Sequence, residues 1–302
     1  MMNVRLDKHW LRLPPQLPLI AMLVVAGLWL RSMSSLKVTA DFKRWWPWTT
    51  SEMVTLYFAD GRFLFPVSRR LPTHDDVPRA ALQALLAGPG RASGLTNSIP
   101  RGVEIRSVKL VGSMAEIDLS APLLGMDKGT QAAETAIVET MTALPGISSV
   151  ALRVEGKTLG APATRVPLLY YAAANGLVAV PASVTTPRAA VATYLVGSPD
   201  PKLTGLPSDV RLLNYEYDPV KRLVSLNFMY TPSIRALALE QPERMRFVLL
   251  GLIAGLTEFP EVQAVRLDFE GQTRLGIGQC SDLLRSPQPR PELLNDERLL
   301  GR

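Results

Sequence analysis

Several groupings in this 302-residue chain bring together side chains that catalyse or coordinate. His74 stands beside Asp75 and Asp76, a trio that could ligate a metal or exchange protons; the competing reading is a solvated loop capping the helix that starts near Pro78. Glu116 with Asp118, and Asp268 with Glu270, are carboxylates two residues apart, a spacing open to glycoside chemistry or to calcium. Strand alternation accounts for them equally well, with Arg153 and Arg266 as cross-strand partners on one solvated face. Ser34 and Lys37 have the Ser-x-x-Lys form of a serine acyltransferase, yet they adjoin an apolar segment and lack the companion motifs. Arg62, Arg69, Arg70, Arg79, Arg91 and Arg101 face only Asp60, Asp75 and Asp76 over the same stretch, which suits an acidic partner or an ordinary surface.

Neutral-pH catalysis usually relies on a group that titrates near 7, and His74 is the one histidine beyond His9. No GxSxG, HExxH or phosphate-cradling loop occurs, and the GIG at 276–278 is too short for a dinucleotide fingerprint. The single Cys280 can form neither an internal disulfide nor a CxxC pair. The sequence therefore predicts no enzyme, no cofactor and no metal site. Net charge of +6 favours acidic surfaces, but the 33 basic residues are scattered among 27 acids, so nucleic acid is not an expected partner.

The elements that would position these residues begin with an anchor. Leu17 to Leu30 is uncharged and follows a head bearing Arg5, Lys8, His9 and Arg12 against Asp7 alone. Fourteen residues fall short of the roughly 20 that span a bilayer, so a cleaved signal peptide competes with a signal anchor. Met33 and flanking leucines extend the apolar zone, and no small-x-small cleavage site follows closely, which favours the anchor over 17–33. Residues 1–16 are then a cytoplasmic head and everything beyond the span is extracytoplasmic, on a single pass through the cytoplasmic membrane. Residues 34–50 read as a stalk, whose Trp45, Trp46 and Trp48 suit either the membrane interface or contact with the first domain.

Beyond the stalk the chain repeats one plan, a hairpin, a helix, two strands, a second helix and a strand. Pro78 opens the first helix of one copy and Pro187 that of the other, and the glycines ending them, Gly88 and Gly197, lie 109 residues apart. Ala115, Ile117 and Leu119 alternate with Glu116 and Asp118, as Val224, Leu226 and Phe228 do with Ser225 and Asn227. Each second helix ends at a proline, 145 or 260, and each closing strand runs into Glu-Gly, at 155–156 and 270–271. The offset grows by about six residues between the repeats, placing an insertion near Thr231 to Pro242.

The Tyr57-Phe58 strand, the Arg69-Arg70 pair, ALQALLAGP, GLTNSIP, AEIDLS and ETMTALPGISSVALRVEGK together resemble the GerMN domain family. The resemblance is specific over roughly residues 51 to 160, and 165 to 279 is similar to a diverged second copy. It implies an envelope or septal-membrane protein of sporulation or spore germination, without catalysis, acting by assembly with other membrane proteins. The chain departs from lipoprotein members in lacking a lipobox cysteine, and its second copy lacks the paired arginines and replaces the strand aspartate with Asn227.

The fold class that follows is α+β, two tandem modules each with a mainly antiparallel sheet and two helices on one face, behind a transmembrane helix. Domain 1 spans 51–161, a diverged domain 2 spans 162–279, and 280–302 is expected to be a flexible tail with a short helix near Glu292 to Leu300. Candidate interaction residues are Tyr57, Arg69, Arg70, Glu116, Asp118 and Arg153. The expected partners are other envelope or sporulation membrane proteins and the membrane itself, with self-association open. A peptidoglycan or ligand module, with a pocket lined by Tyr57, Tyr170 and Tyr171, is the alternative.

Overall fold

The computed structural model describes residues 51–60, 63–72, 76–121, 129–174, 176–271 and 280–300. The head, anchor and stalk, and His74 with Asp75, lie outside the described residues. Among those described, no helix is long and apolar enough to cross a membrane.

The first repeat contains β1 (Ser51–Asp60), β2 (Phe63–Pro72), α1 (Val77–Leu86), β3 (Ile105–Val111), β4 (Met114–Leu119), α2 (Gly129–Thr142) and β5 (Ser149–Val154), then the short β6 (Lys157–Thr158) and β7 (Ala163–Thr164). The second contains β8 (Leu168–Ala172), β9 (Leu177–Pro181), α3 (Pro187–Val196), β10 (Leu212–Asp218), β11 (Leu223–Phe228), α4 (Pro232–Glu240), α5 (Pro242–Leu256) and β12 (Ala264–Phe269). A tail follows with α6 (Ser281–Arg285), β13 (Gln288–Pro289) and α7 (Glu297–Leu300). Helix starts are set by oxygen caps beside a proline. Asp76 accepts the Arg79 N–H at 3.0 Å, Thr186 that of Ala189 at 3.2 Å, and Thr231 that of Ile234 at 3.3 Å. The insertion expected near Thr231 to Pro242 falls on the nine-residue helix α4.

Within each repeat three strands form the core sheet. β3 pairs antiparallel with β4 and β4 parallel with β5; β10, β11 and β12 repeat this arrangement. Parallel neighbours need a long crossover, which the second helix supplies. Ala115, Ile117, Leu119, Val150, Leu152 and Val154 are buried in one core with residues of α1 and α2, while Glu116, Asp118 and Arg153 sit on the outer face. Val224, Leu226, Phe228, Val265, Leu267 and Phe269 do the same in the second repeat.

The leading hairpins depart from the plan of two separate modules. They join in one sheet of order β1-β2-β9-β8, so the repeats share a sheet. β1 and β2 pair over their full length, whereas β2 meets β9 only at Leu64 and Ala179. Val54, Leu56 and Phe58 point into the first core, Leu169 and Tyr171 into the second. The alternate residues Tyr57, Ala59, Leu168 and Tyr170 enter a third cluster between the repeats, with Ala136, Ala254 and Leu294. Two covered faces explain why all five residues of β8 are buried.

The tail corrects the expectation of a flexible segment, because it packs onto both repeats. β13 pairs with β12, Leu294 is 2% and Asn295 3% exposed, and α7 lies against the first repeat. Its few apolar residues have no periodicity, yet Leu294 is buried between the repeats and Asn295 enters the gap that β2 and β9 leave open.

Candidate functional site

Tyr57 and Tyr170 hold corresponding places in the two leading hairpins, and their side chains meet between the repeats with hydroxyls 2.8 Å apart. Each main-chain N–H at these edge strands finds a side chain from its own repeat, Thr140 Oγ1 at 2.9 Å for Tyr57 and the Tyr194 hydroxyl at 2.8 Å for Tyr170. Tyr194 in turn donates to the Gly251 carbonyl at 3.0 Å, tying β8 to α5. Gly251 has no room for a side chain, since a Cβ would run into the Tyr170 carbonyl oxygen.

Around the tyrosines stand two carboxylates and two guanidiniums. Tyr170 donates to Glu258 Oε1 at 2.5 Å, and Arg290 of the tail reaches the same oxygen at 2.6 Å and the Tyr170 hydroxyl at 3.1 Å. Arg165, between the repeats, donates to the Tyr57 hydroxyl at 2.8 Å and pairs with Glu258 Oε2 at 2.8 Å. Its Nε forms an ion pair with Glu139 Oε2 at 3.3 Å. The Glu139 and Glu258 side chains are only 4% and 2% exposed. Burial dominates the electrostatics. It pushes the Glu139 carboxyl up to about 7 against the opposing pull of Arg165, and it raises the Tyr57 and Tyr170 hydroxyls above their ordinary 10.0.

This cluster cannot act on a substrate as it stands, because the tyrosines are sealed and both carboxylates are engaged by cations. A buried ionic network fixes the orientation of the parts that contribute to it. Here those parts are β1, α2, the linker, β8, the end of α5 and the tail. Arg165, Glu139, Glu258 and Arg290 were not among the sequence candidates. The available signal was Glu139 itself, a carboxylate on the buried side of an apolar helix between Val138 and Met141.

The sequence candidates fall in three places. Tyr57, Tyr170 and Tyr171 do not line an open pocket: their exposures are 0%, 1% and 2%. Glu116 and Arg153 pair across strands at 3.4 Å on the outer face of the first sheet. Arg106 lies 3.6 Å from Asp118 and also pairs with Glu155. Asp118 also holds a turn, since its Oδ1 accepts the Gly156 N–H at 3.0 Å, as Asn227 Oδ1 accepts that of Gly271 at 2.9 Å. Both turns are Glu-Gly, with φ of 51° and 78° at 155–156 and 52° and 72° at 270–271, conformations that favour glycine at the second position. Asp118 and Asn227 therefore correspond because each supplies the same acceptor.

Arg69 and Arg70 separate. Arg70 is exposed. Arg69 is half-buried, donates to the carbonyls of Ala84 at 3.2 Å and Gly88 at 3.3 Å, and binds both oxygens of Glu297 at 2.9 and 2.8 Å. Asp76, beside His74 and Asp75 in sequence, caps α1, as the helix-capping reading of that loop expects. Cys280 is buried and its thiol is pushed up to about 11 by that burial. Among the described residues, no three His, Cys, Asp or Glu side chains are grouped to hold a metal ion.

The family model Germane, described as sporulation and spore germination, matches residues 55–160 and again 168–275. The chain belongs to the Germane family. Its two matches coincide with the two repeats built above, and the family is linked to sporulation and germination. No curated protein matches the sequence. Among solved structures, the tandem GerMN domains of the sporulation protein GerM from Bacillus subtilis share the fold at a TM-score of 0.61 and 19% identity, over 82% of this chain and 99% of that one. The first GerMN domain of the same protein matches at a TM-score of 0.30 and 24% identity, over 36% of this chain and 86% of that one. A putative lipoprotein from Clostridium perfringens matches at a TM-score of 0.28 and 22% identity, over 38% of this chain and 88% of that one. The tandem Germane arrangement thus extends to both repeats and their order.

Proposed function

We propose that this Germane protein is a non-enzymatic assembly module of sporulation or spore germination, held at the cytoplasmic membrane by residues 17–33 with both repeats outside. The observation that carries this reading is the closure of the polar junction. The buried ionisable groups of the junction are spent on fixing the two repeats to each other, while the β3 and β10 edges stay open. Edge strand β3 exposes Leu110 and Val111 at 55% each, and β10 exposes Leu213 at 49% and Tyr217 at 36%. Open edges of this kind accept strands or faces of other proteins. Other envelope proteins are the partners this reading expects.

The test is fluorescence localisation of a tagged copy through the growth cycle, with co-purification from detergent-solubilised membranes. Signal at the septal or engulfing membrane of sporulating cells, with membrane proteins attached, is the expected result. Uniform envelope signal in growing cells without a protein partner would refute it. A glycan-binding module is the second reading. It has lost its tyrosine surface, but a polar cleft of about 550 Å³ on the outer face of the second sheet, lined by Asn214, Glu216, Asn227, Arg266 and Asp268, keeps it in view. Failure to sediment with purified sacculi would end it.

A further inference from the structure

The seam between β2 and β9 holds a second feature that the assembly reading does not use. Beyond Leu64 and Ala179 the two strands pair no further, and the tail enters the gap. Asn295 fills it with one side chain. Its amide nitrogen donates to Pro66 O at 2.7 Å and to Leu177 O at 2.8 Å, and its Oδ1 accepts the Leu177 N–H at 2.7 Å. Both amide protons and the carbonyl are thus matched by main-chain groups from different repeats. Aspartate has no protons to offer there, and glutamine is one methylene too long. Gly176 leaves room for Asn295 only by lacking a side chain.

The flanking residues are held as specifically. Leu294 is buried between the repeats, its N–H donates to Ser68 Oγ at 3.0 Å, and Ser68 N–H donates to the Asn295 carbonyl at 3.2 Å. Two residues further on, Glu297 places both oxygens on Arg69 and also accepts the Gly90 N–H. Apolar pocket, amide slot and cationic clamp follow one another at the spacing Leu-Asn-x-Glu.

The geometry points to a peptide-recognition groove, built jointly by the two repeats and specific for Leu-Asn-x-Glu, whose ligand is the chain's own residues 294–297. The groove's walls come from β2, β9 and the loop after α1, and the chain leading into the occupying segment is held to the second repeat through β13 and Arg290. Main-chain recognition by a paired amide and charge recognition by Arg69 do not require that covalent link. A free peptide of the same sequence therefore binds once the resident segment is removed.

The experiment uses the chain ended after Pro291 and a fluorescein-labelled peptide of residues 292–302, read by fluorescence anisotropy. Saturable binding is expected, weakened about a hundredfold by Asn295→Ala in the peptide and about tenfold by Glu297→Gln. In a groove carrying Arg69→Ala the Glu297→Gln penalty disappears, which a merely structural role for the arginine would not produce. Should the shortened chain not fold, a full-length version with a protease site at Ser286-Pro287 is folded first and then cut. The cut tail then stays bound through gel filtration and exchanges with labelled peptide. No saturable binding by a folded shortened chain, an Asn295→Ala peptide binding as well as the parent, or a cut tail that leaves and is not replaced would each overturn the proposal.

Discussion

Replacing Glu139 by glutamine isolates the electrostatics of the junction. The carboxyl has a pKa of 4.5 in a solvated chain and about 7 in the folded protein. The folded state therefore holds the proton more tightly than the unfolded chain. The stability this contributes is fully present below 4.5 and is lost as pH rises through 7. At about 1.4 kcal/mol per pH unit the loss amounts to about 3 kcal/mol. The side chain is only 4% exposed, so solvent does little to screen it. The carboxyls of Asp218, lowered first by the Lys221 N–H, and Asp282, lowered first by Arg246, titrate below 3.8 and stay clear of the window. Urea unfolding of both proteins at intervals from pH 4 to 8 measures the effect. The gap between wild type and Glu139→Gln should change by about 3 kcal/mol across that range, with wild type losing ground as pH rises. Parallel stability curves would refute the assignment of a raised pKa to Glu139.

Other outcomes follow from single contacts. Asp118→Asn should leave stability nearly unchanged, because Asn227 does the same work in the second repeat, while Asp118→Ala costs about 1 kcal/mol in thermal unfolding. Arg69→Ala should lower the melting temperature by several degrees and Arg70→Ala hardly at all, since only Arg69 holds carbonyls and Glu297. Gly251→Ala forces α5 away from β8 and should destabilise by about 1–3 kcal/mol, measured by denaturant unfolding.

The repeat was legible in the sequence because its signals are local. Helix period, strand alternation and the prolines and glycines that end elements all act within a few residues, and Ala115 to Leu119 or Val224 to Phe228 carry them openly. The Glu116–Arg153 pairing was also within reach, as cross-strand neighbours share a face. The shared sheet was not. A fully apolar strand such as Leu168–Ala172 states that both faces are covered without stating by what. The junction was harder still, since it gathers residues 57, 139, 165, 170, 258 and 290, which no local pattern links. The tail misled for a related reason. Its hold rests on Leu294, Asn295 and Glu297 singly, and a mix of prolines, acids and arginines around them looks like solvated chain.

The contact between Asn295 and Pro66 spans 229 positions of sequence and sets an order of events during synthesis. A chain made from its N-terminus must carry β2 with an unfilled edge until Asn295 has emerged. Closing so long a loop is slow, and until it closes the exposed strand invites unwanted pairing. Residues 294–297 therefore complete the seam only after both repeats have been made, and a copy cut short before them lacks the side chain that joins β2 to β9.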